Sequence, residues 1–430
     1  MSLLAGSTAE RRNTVKVMFY GQSITKQNYW KSVAAGLRKQ FPLADLVVVN
    51  RALGGFASDL LKRTVEHDVI PFYPDLVIFH DYGNEQDYEW IIRQIRSRTT
   101  AEIAIQTDYN TWLPEPGKPA PPADDPKMKA NAWHDRHCFE WLPGICRQYG
   151  LGCIDIRRPW LAYLKSHKLR PADLLSDGTH MNQRGEELMT DLTLRYLHHD
   201  PSLAAKGAPA VRDYVIGKDV AWKDRHLMLD FEGNRVDLML SRQARQPYTS
   251  ARVRIDDRFP TSFKELYSIT RPSDGAGVDW PFVIHVENSG APIVERWVLK
   301  LLETDESNKV MRYEVRGSVT GWDGEGRSTE RFVSNSGRVV IEPQDWHLAR
   351  AYELQKKLTT VSSEASWDVV FLGTDVVEPR RIDDSTREYP VTIVQGLANG
   401  KHRLTLTQET VEPTQLEAIR VYCPPVAATA

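Results

Sequence analysis

No run of the sequence approaches the roughly 20 consecutive apolar residues that a helix needs to cross a bilayer, which excludes a helical membrane-spanning protein. Charge of one sign is missing too. The 55 Lys and Arg against 57 Asp and Glu leave a net charge of -2, with no global field to draw in nucleic acid or an anionic membrane, and neither is expected as a partner. Cysteine is scarce, at four residues in 430, too few for a disulfide framework. Cys138, Cys146 and Cys153 lie close together without the spacing of a zinc site and Cys423 is remote, so buried free thiols are expected. The opening MSLLAGSTAERRNTVKVMF has none of the basic head, apolar middle or cleavage site of a secretory leader, and none is expected in it. Fixed-period repeats are absent as well. These absences leave the compartment open. They also leave an ordinary globular composition, 41% hydrophobic and 26% charged, in a chain long enough for two domains.

Through the first two hundred residues, short β-branched runs alternate with amphipathic stretches, the rhythm of βαβ units on a parallel sheet. Strands are expected at Val15–Tyr20, Leu46–Asn50, Asp75–His80, Ala101–Thr107 and Gly152–Ile156. Helices are expected at Tyr29–Gln40, Ser58–Val69, Tyr88–Arg98 and Lys127–Tyr149, with Ser58 and Asn182 as caps. The proline-rich stretch from Thr111 to Pro126 reads as a surface loop near the carboxyl edge of the sheet. Residues 201–213 read as a linker, separating a domain over 1–200 from one over 214–430. In the latter, short alternating segments (RHLMLDF, RVDLML, PFVIHV, RWVLKLL, RYEVRGSV, GRVVIE, WDVVFLG, YPVTIV, HRLTLT, AIRVYC) are divided by Gly, Asp, Asn and Pro turns. That spacing argues for an antiparallel β-sandwich, or two small ones, with a helical interruption at Trp346–Lys357.

Four strand-edge segments carry the chemistry. FYGQSIT puts Ser23 at the carboxyl end of the first strand; NRALGGFAS follows the second, DYGNEQD the third, and SDGTHMNQRGEEL sets Asp177 three residues before His180. A serine hydroxyl is a poor nucleophile at neutral pH and needs a base together with a group that orients the base. Acyl transfer also needs N–H donors converging on a developing oxyanion, which Gly55, Asn84 and the Ser23 amide could supply. Singly, each segment reads as well as a cap, a turn or a satisfied core histidine. Jointly, all four fall at one edge of one parallel sheet, where open α/β folds hold their ligands.

That order resembles the SGNH, or GDSL, hydrolases, whose blocks I, II, III and V match Ser23, Gly55, Asn84 and Asp177/His180 over roughly residues 14 to 200. The resemblance implies a flavodoxin-like three-layer α/β/α domain with a parallel sheet, here followed by a jelly-roll-like sandwich. It also implies a Ser-His-Asp acyl-enzyme mechanism with Ser23 as nucleophile, His180 as base, Asp177 as its orienting partner, and no metal or organic cofactor. Two departures stand out: Gln22 replaces the family's Asp in GDS, and Tyr82-Gly83-Asn84-Glu85 replaces G-x-N-D.

The substrate expected is an ester of a carbohydrate, acetyl foremost. Trp280, Trp297, Trp322, Trp346 and Trp367 include candidates for stacking on sugars, although core packing is the blander account of each. Gln22, Tyr109, Trp112 and Trp133 are candidates for a substrate wall. Alternatives are a lipase or thioesterase, or a carbohydrate-binding protein on a degenerate hydrolase fold. Asp323-Gly-Glu325-Gly lacks the further acidic ligands of a calcium loop and reads as a solvated turn. Oligomeric state is not legible.

Overall fold

The computed structural model describes residues 1–430 except 116, 118, 203–209, 243–248, 273–280, 306–309, 348–362, 411–413 and 427–430. It divides into two compact units, one of Met1–Leu61, Pro74–Trp90 and Ala101–Lys206, the other of Lys62–Tyr73, Ile91–Thr100 and Gly207–Ala430.

In the first unit the apolar runs form five parallel strands, β1 (Thr14–Gly21), β2 (Asp45–Asn50), β3 (Leu76–His80), β4 (Glu102–Gln106) and β5 (Gly152–Ile154). Their order is β2-β1-β3-β4-β5, the doubly wound arrangement in which ligands bind beyond the carboxyl ends, where the order reverses between β1 and β3. Consecutive residues Val17, Met18, Phe19 and Tyr20 are all fully buried. Both faces of the sheet are therefore covered, which is why these strands read as continuous apolar runs rather than alternating ones. One face packs on Tyr29, Val33 and Leu37 of the helix Tyr29–Gln40 and on Leu188, Met189 and Leu192 of Gln183–Tyr196. Asn182 caps the latter, its side chain accepting from the Gly185 N–H at 3.1 Å.

Several expected helices differ. The stretch 58–69 is a short helix Ser58–Leu61, a 3₁₀ turn Lys62–Thr64 and a helix Val65–Phe72. Ser58 does not cap it, because its hydroxyl donates to the Asn84 carbonyl instead. The long helix from 127 is interrupted by a π turn over His137–Trp141, where the Leu142 N–H reaches back five residues to His137. Pro143 has no N–H to continue an α-helical ladder, and the wider turn carries the chain past it.

The second unit is antiparallel. Its strands are β6 (Val211–Val215), β7 (His226–Leu240), β8 (Ala251–Ile255), β9 (Tyr267–Ile269), β10 (Glu295–Thr304), β11 (Met311–Gly317), β12 (Gly321–Arg327), β13 (Phe332–Val333), β14 (Val340–Ile341), β15 (Glu364–Phe371), β16 (Val376–Val377), β17 (Pro390–Gln408) and β18 (Leu416–Tyr422). They build a six-stranded sheet, β16-β8-β17-β7-β18-β6, a five-stranded sheet, β12-β11-β10-β15-β9, and the pair β13-β14. Each large sheet has its own core. Leu227, Leu229, Phe231, Leu404 and Leu406 centre the first, and Trp297, Leu299, Tyr313 and Trp367 the second.

Segment boundaries differ in instructive ways. The last three residues of the expected linker, Val211–Asp213, belong to β6. RHLMLDF and RVDLML are one strand, as are YPVTIV and HRLTLT. PFVIHV is buried but makes only isolated bridges, Val283 to Trp346, with Glu287 beside it bridging Val340. Asp323-Gly-Glu325-Gly lies in β12 rather than in a turn, and the buried Asp323 carboxylate accepts from the Ser336 N–H and hydroxyl. The expected helix at 346–357 lies mostly outside the described residues, as does Trp280. Cys138 and Cys146 are buried free thiols; Cys153 and Cys423 are free but only half-buried.

Candidate active site

β1 ends in Gly21, and only glycine fits there: its φ is +147°, and a Cβ would lie 1.9 Å from the His80 carbonyl oxygen. The close approach lets the chain turn directly off the sheet into the short helix Ser23–Lys26, presenting Ser23 at the carboxyl edge. The Ser23 Oγ lies 2.9 Å from His180 Nε2, and His180 Nδ1 lies 2.8 Å from Asp177 Oδ2. The other oxygen of Asp177 accepts the backbone N–H groups of Thr179 at 2.8 Å and His180 at 2.7 Å. An exposed carboxylate is thus fixed by its own turn. Those backbone donors, His180 foremost and then its ring, draw the Asp177 carboxyl down to about 2. Ionised Asp177 accepts a hydrogen bond from Nδ1–H, which leaves Nε2 as an acceptor toward the Ser23 hydroxyl.

The histidine turn is tied to the nucleophile segment by Gln27 and to the loop after β4 by Tyr109. The Gln27 side chain accepts from the Met181 N–H at 3.0 Å and donates to its carbonyl at 2.9 Å. Tyr109 donates its hydroxyl to the Thr179 carbonyl at 2.6 Å.

Ser58 joins the loops after β2 and β3, its N–H on the Tyr82 carbonyl and its hydroxyl on that of Asn84, at 2.9 and 2.8 Å. The Asn84 Oδ1 caps the helix Glu85–Arg98, accepting from Gln86 and Asp87. Its carboxamide oxygen is thereby committed and its N–H₂ is left to donate elsewhere. This is how the Asn84 loop is held. Gly55 sits exposed in the turn after β2 with φ +74°.

A cavity of about 530 Å³ opens beside Ser23. Gln22, Tyr109 and Trp112 line it, whereas Trp133 does not. The expectation for Trp133 is corrected by its stacking: its ring lies on His137 at 4.7 Å, and His137 in turn on Trp141 at 4.9 Å. Tyr109 reaches the cavity, but one ring face is covered by Trp160 at 4.6 Å, so it serves as a brace as much as a wall. Trp112 carries the Lys127 ammonium 5.8 Å from its ring centroid.

The cavity also contains a cluster not foreseen from the sequence. Asp108, just past β4, takes His80 Nε2 on one oxygen at 2.8 Å and His134 Nδ1 on the other at 2.5 Å. Burial alone would raise the Asp108 carboxyl, but the hydrogen bonds from His134 and His80 outweigh it and hold it well below the usual carboxylate range. Arg157, itself buried, fixes the helix bearing His134 by bonding Asp135 and Asn131, each at 2.7 Å. The signal for these residues was position. His80 and Asp108 stand at the carboxyl ends of parallel strands, where titratable residues face the ligand edge.

No family model matches the chain, and no curated protein matches it. Among solved structures, a two-domain esterase described as active on acetylated mannans aligns over 97% of this chain and 94% of its own, at 14% identity and a TM-score of 0.36. An acetylxylan esterase from Geobacillus stearothermophilus aligns over 44% of this chain and 97% of its own, at 20% identity and a TM-score of 0.37. Likeness at this level does not carry chemistry from one chain to another.

Proposed function

We propose that the chain is a serine-dependent ester hydrolase that removes short acyl groups, acetyl foremost, from a carbohydrate. The observation that carries this reading is the unbroken chain Ser23 Oγ to His180 Nε2 to Asp177, at 2.9 and 2.8 Å, within the 2.6–3.2 Å reach that a nucleophile and its base require.

In this reading His180 takes the Ser23 proton as Oγ attacks the ester carbonyl. Asn84, Gly55 and the Ser23 amide receive the oxyanion, and the alcohol leaves with the proton from the imidazolium. Water then repeats the attack on the acyl-enzyme, while Asp177 holds the imidazole in the Nδ1–H tautomer. No step calls for a metal or an organic cofactor. The cavity wall sets the polar groups Asp108, His134 and Asn131 beside the rings of Trp112, Tyr82 and Tyr109, a mixture suited to the hydroxyls and apolar faces of a sugar.

The test is hydrolysis of p-nitrophenyl acetate by the protein and by Ser23→Ala, alongside acetate release from acetylated xylan, mannan and pectin and from short acyl lipids. Equal rates for the protein and Ser23→Ala defeat the mechanism. Preference for the lipids defeats the substrate class while leaving the mechanism standing.

A further inference from the structure

The Ser23 hydroxyl has a second neighbour. Gln22 Oε1 lies 2.9 Å from the same Oγ, on a side chain that is buried. A long, flexible carboxamide beside a nucleophile is useful only if something fixes its orientation, and here both of its ends are fixed. Its oxygen also accepts the Ile24 N–H at 3.3 Å, so reversing the amide would set N–H₂ against N–H. Its nitrogen lies 3.4 Å from His80 Nδ1. For that contact to be favourable the ring nitrogen must be a bare acceptor, and in the neutral ring the Asp108 contact selects the tautomer in which it is one. Ionised Asp108 claims the proton on His80 Nε2, which leaves the neutral ring with its lone pair at Nδ1, facing Gln22.

Resting on the reading of Ser23 as the nucleophile, we infer that Asp108, His80 and Gln22 form a second positioning arm. It ends on the same oxygen as the Asp177–His180 arm but transfers no proton in the reaction. A hydroxyl has one proton and two acceptors in reach, His180 Nε2 and Gln22 Oε1. When His180 is neutral the proton points to it and attack is possible. When His180 is an imidazolium it donates to Oγ, and the serine proton turns to Gln22. The oxygen stays in one place in both states. Gln22 is thus a positioning residue for the nucleophile, and its departure from the Asp of the G-D-S pattern is matched by His80 and Asp108 behind it.

Because His80 and Asp108 act through Gln22, their effects must not add to its own. Gln22→Met keeps the length and removes both polar ends. Its kcat on p-nitrophenyl acetate is expected to fall by ~10- to 100-fold, the scale of a misplaced reacting group, with KM within about threefold of the parent. His80→Asn is expected to lower kcat in the same direction by less. The double variant should match Gln22→Met alone, since residues acting in one chain couple rather than add.

Labelling of Ser23 by a fluorophosphonate gives a second readout, which needs attack by the serine but no ester turnover, and melting temperature separates misfolding from misplacement. A Gln22→Met protein that melts like the parent and reacts at the parent's rate overturns the inference. So does a double variant whose losses multiply. A parent that neither turns over esters nor takes the label overturns the nucleophile reading and this inference together, whereas an active parent beside an equally active Gln22→Met overturns this inference alone.

Discussion

In the α/β unit three histidines, His80, His134 and His180, each rest one ring nitrogen on an aspartate, at 2.8, 2.5 and 2.8 Å. In the second unit His67 and His285 rest on each other instead, at 3.0 Å. His67 donates its Nδ1–H to the Ile269 carbonyl and accepts the Val286 N–H at Nε2, and the other nitrogen of His285 meets the exposed Glu287, at 3.2 Å. Burial pushes both imidazoles down to about 4. In the proposed mechanism His180 transfers a proton and His80 only positions, whereas His67 and His285 of the second unit are neutral packing elements. What sets the pair apart is burial ring against ring, since elsewhere in the same unit His402 does rest on an aspartate, Asp256, at 2.7 Å.

The largest effects should come from the carboxylate-bound set. Ser23→Ala and His180→Ala are each expected to lower kcat by on the order of 10⁴-fold or more, and Asp177→Ala by distinctly less, the graded pattern of residues that act as a unit. Measurement of kcat for the three variants decides it; an Asp177→Ala enzyme slower than His180→Ala would contradict the assigned roles. Next comes Asn84→Ala, with an expected loss of ~10²- to 10³-fold for one oxyanion donor. Because the Asn84 Oδ1 also caps a helix, Asn84→Asp is the sharper variant. It keeps the cap acceptor but has no N–H₂, so it should melt like the parent while losing the rate. Retained activity in Asn84→Asp would remove Asn84 from the oxyanion site.

Much of this was legible beforehand because a parallel sheet gathers the ends of its strands. Once Ser23, Asn84 and the second strand's Gly55 were assigned to strand ends, their shared edge followed. The Asp108 cluster was missed because its histidines lie 28 and 26 residues from it in sequence, and no local spacing records such a pair. The lock between Ser58 and Asn84 was missed for a related reason: a serine at a helix start reads as a cap, and only the fold shows its hydroxyl turned to a neighbouring loop. In the second unit a turn was expected between RHLMLDF and RVDLML, where Gly233 falls. Gly233 lies inside β7, where a Cβ would stand 2.3 Å from the Tyr422 carbonyl oxygen, so the glycine serves a close strand approach. Among the tryptophans the blander reading holds for Trp297 and Trp367, which are buried directly opposite each other on β10 and β15, while Trp322 is 49% exposed.

The buried pair supplies the third prediction, and the sign follows from its lowered values. An unfolded histidine takes a proton below about pH 6.5, while the folded ones stay neutral down to about 4. Within that window the unfolded state binds more protons, so stability is lost as pH falls from about 6.5 toward 4, by roughly 3 kcal/mol per imidazole in the limit. Urea unfolding of the whole protein across that range is the measurement, with His285→Gln for comparison. The variant should show a shallower loss; an identical slope would mean that the pair contributes nothing to acid sensitivity.

The smallest effect separates contacts to the substrate from contacts to the reacting atoms within the α/β unit. Trp112 lines the cavity and bears Lys127 on its ring, but it shares no hydrogen bond with Ser23, His180 or Asp177 among the described residues. Trp112→Ala should therefore raise KM for an acetylated oligosaccharide by about tenfold, near 1.4 kcal/mol of lost stacking and packing, while leaving p-nitrophenyl acetate turnover within twofold. A uniform loss on both substrates would place Trp112 in the support of the proline-rich loop rather than against the sugar. Loss on p-nitrophenyl acetate alone would contradict both roles, since a small acetyl ester needs only the nucleophile, the base and the oxyanion donors.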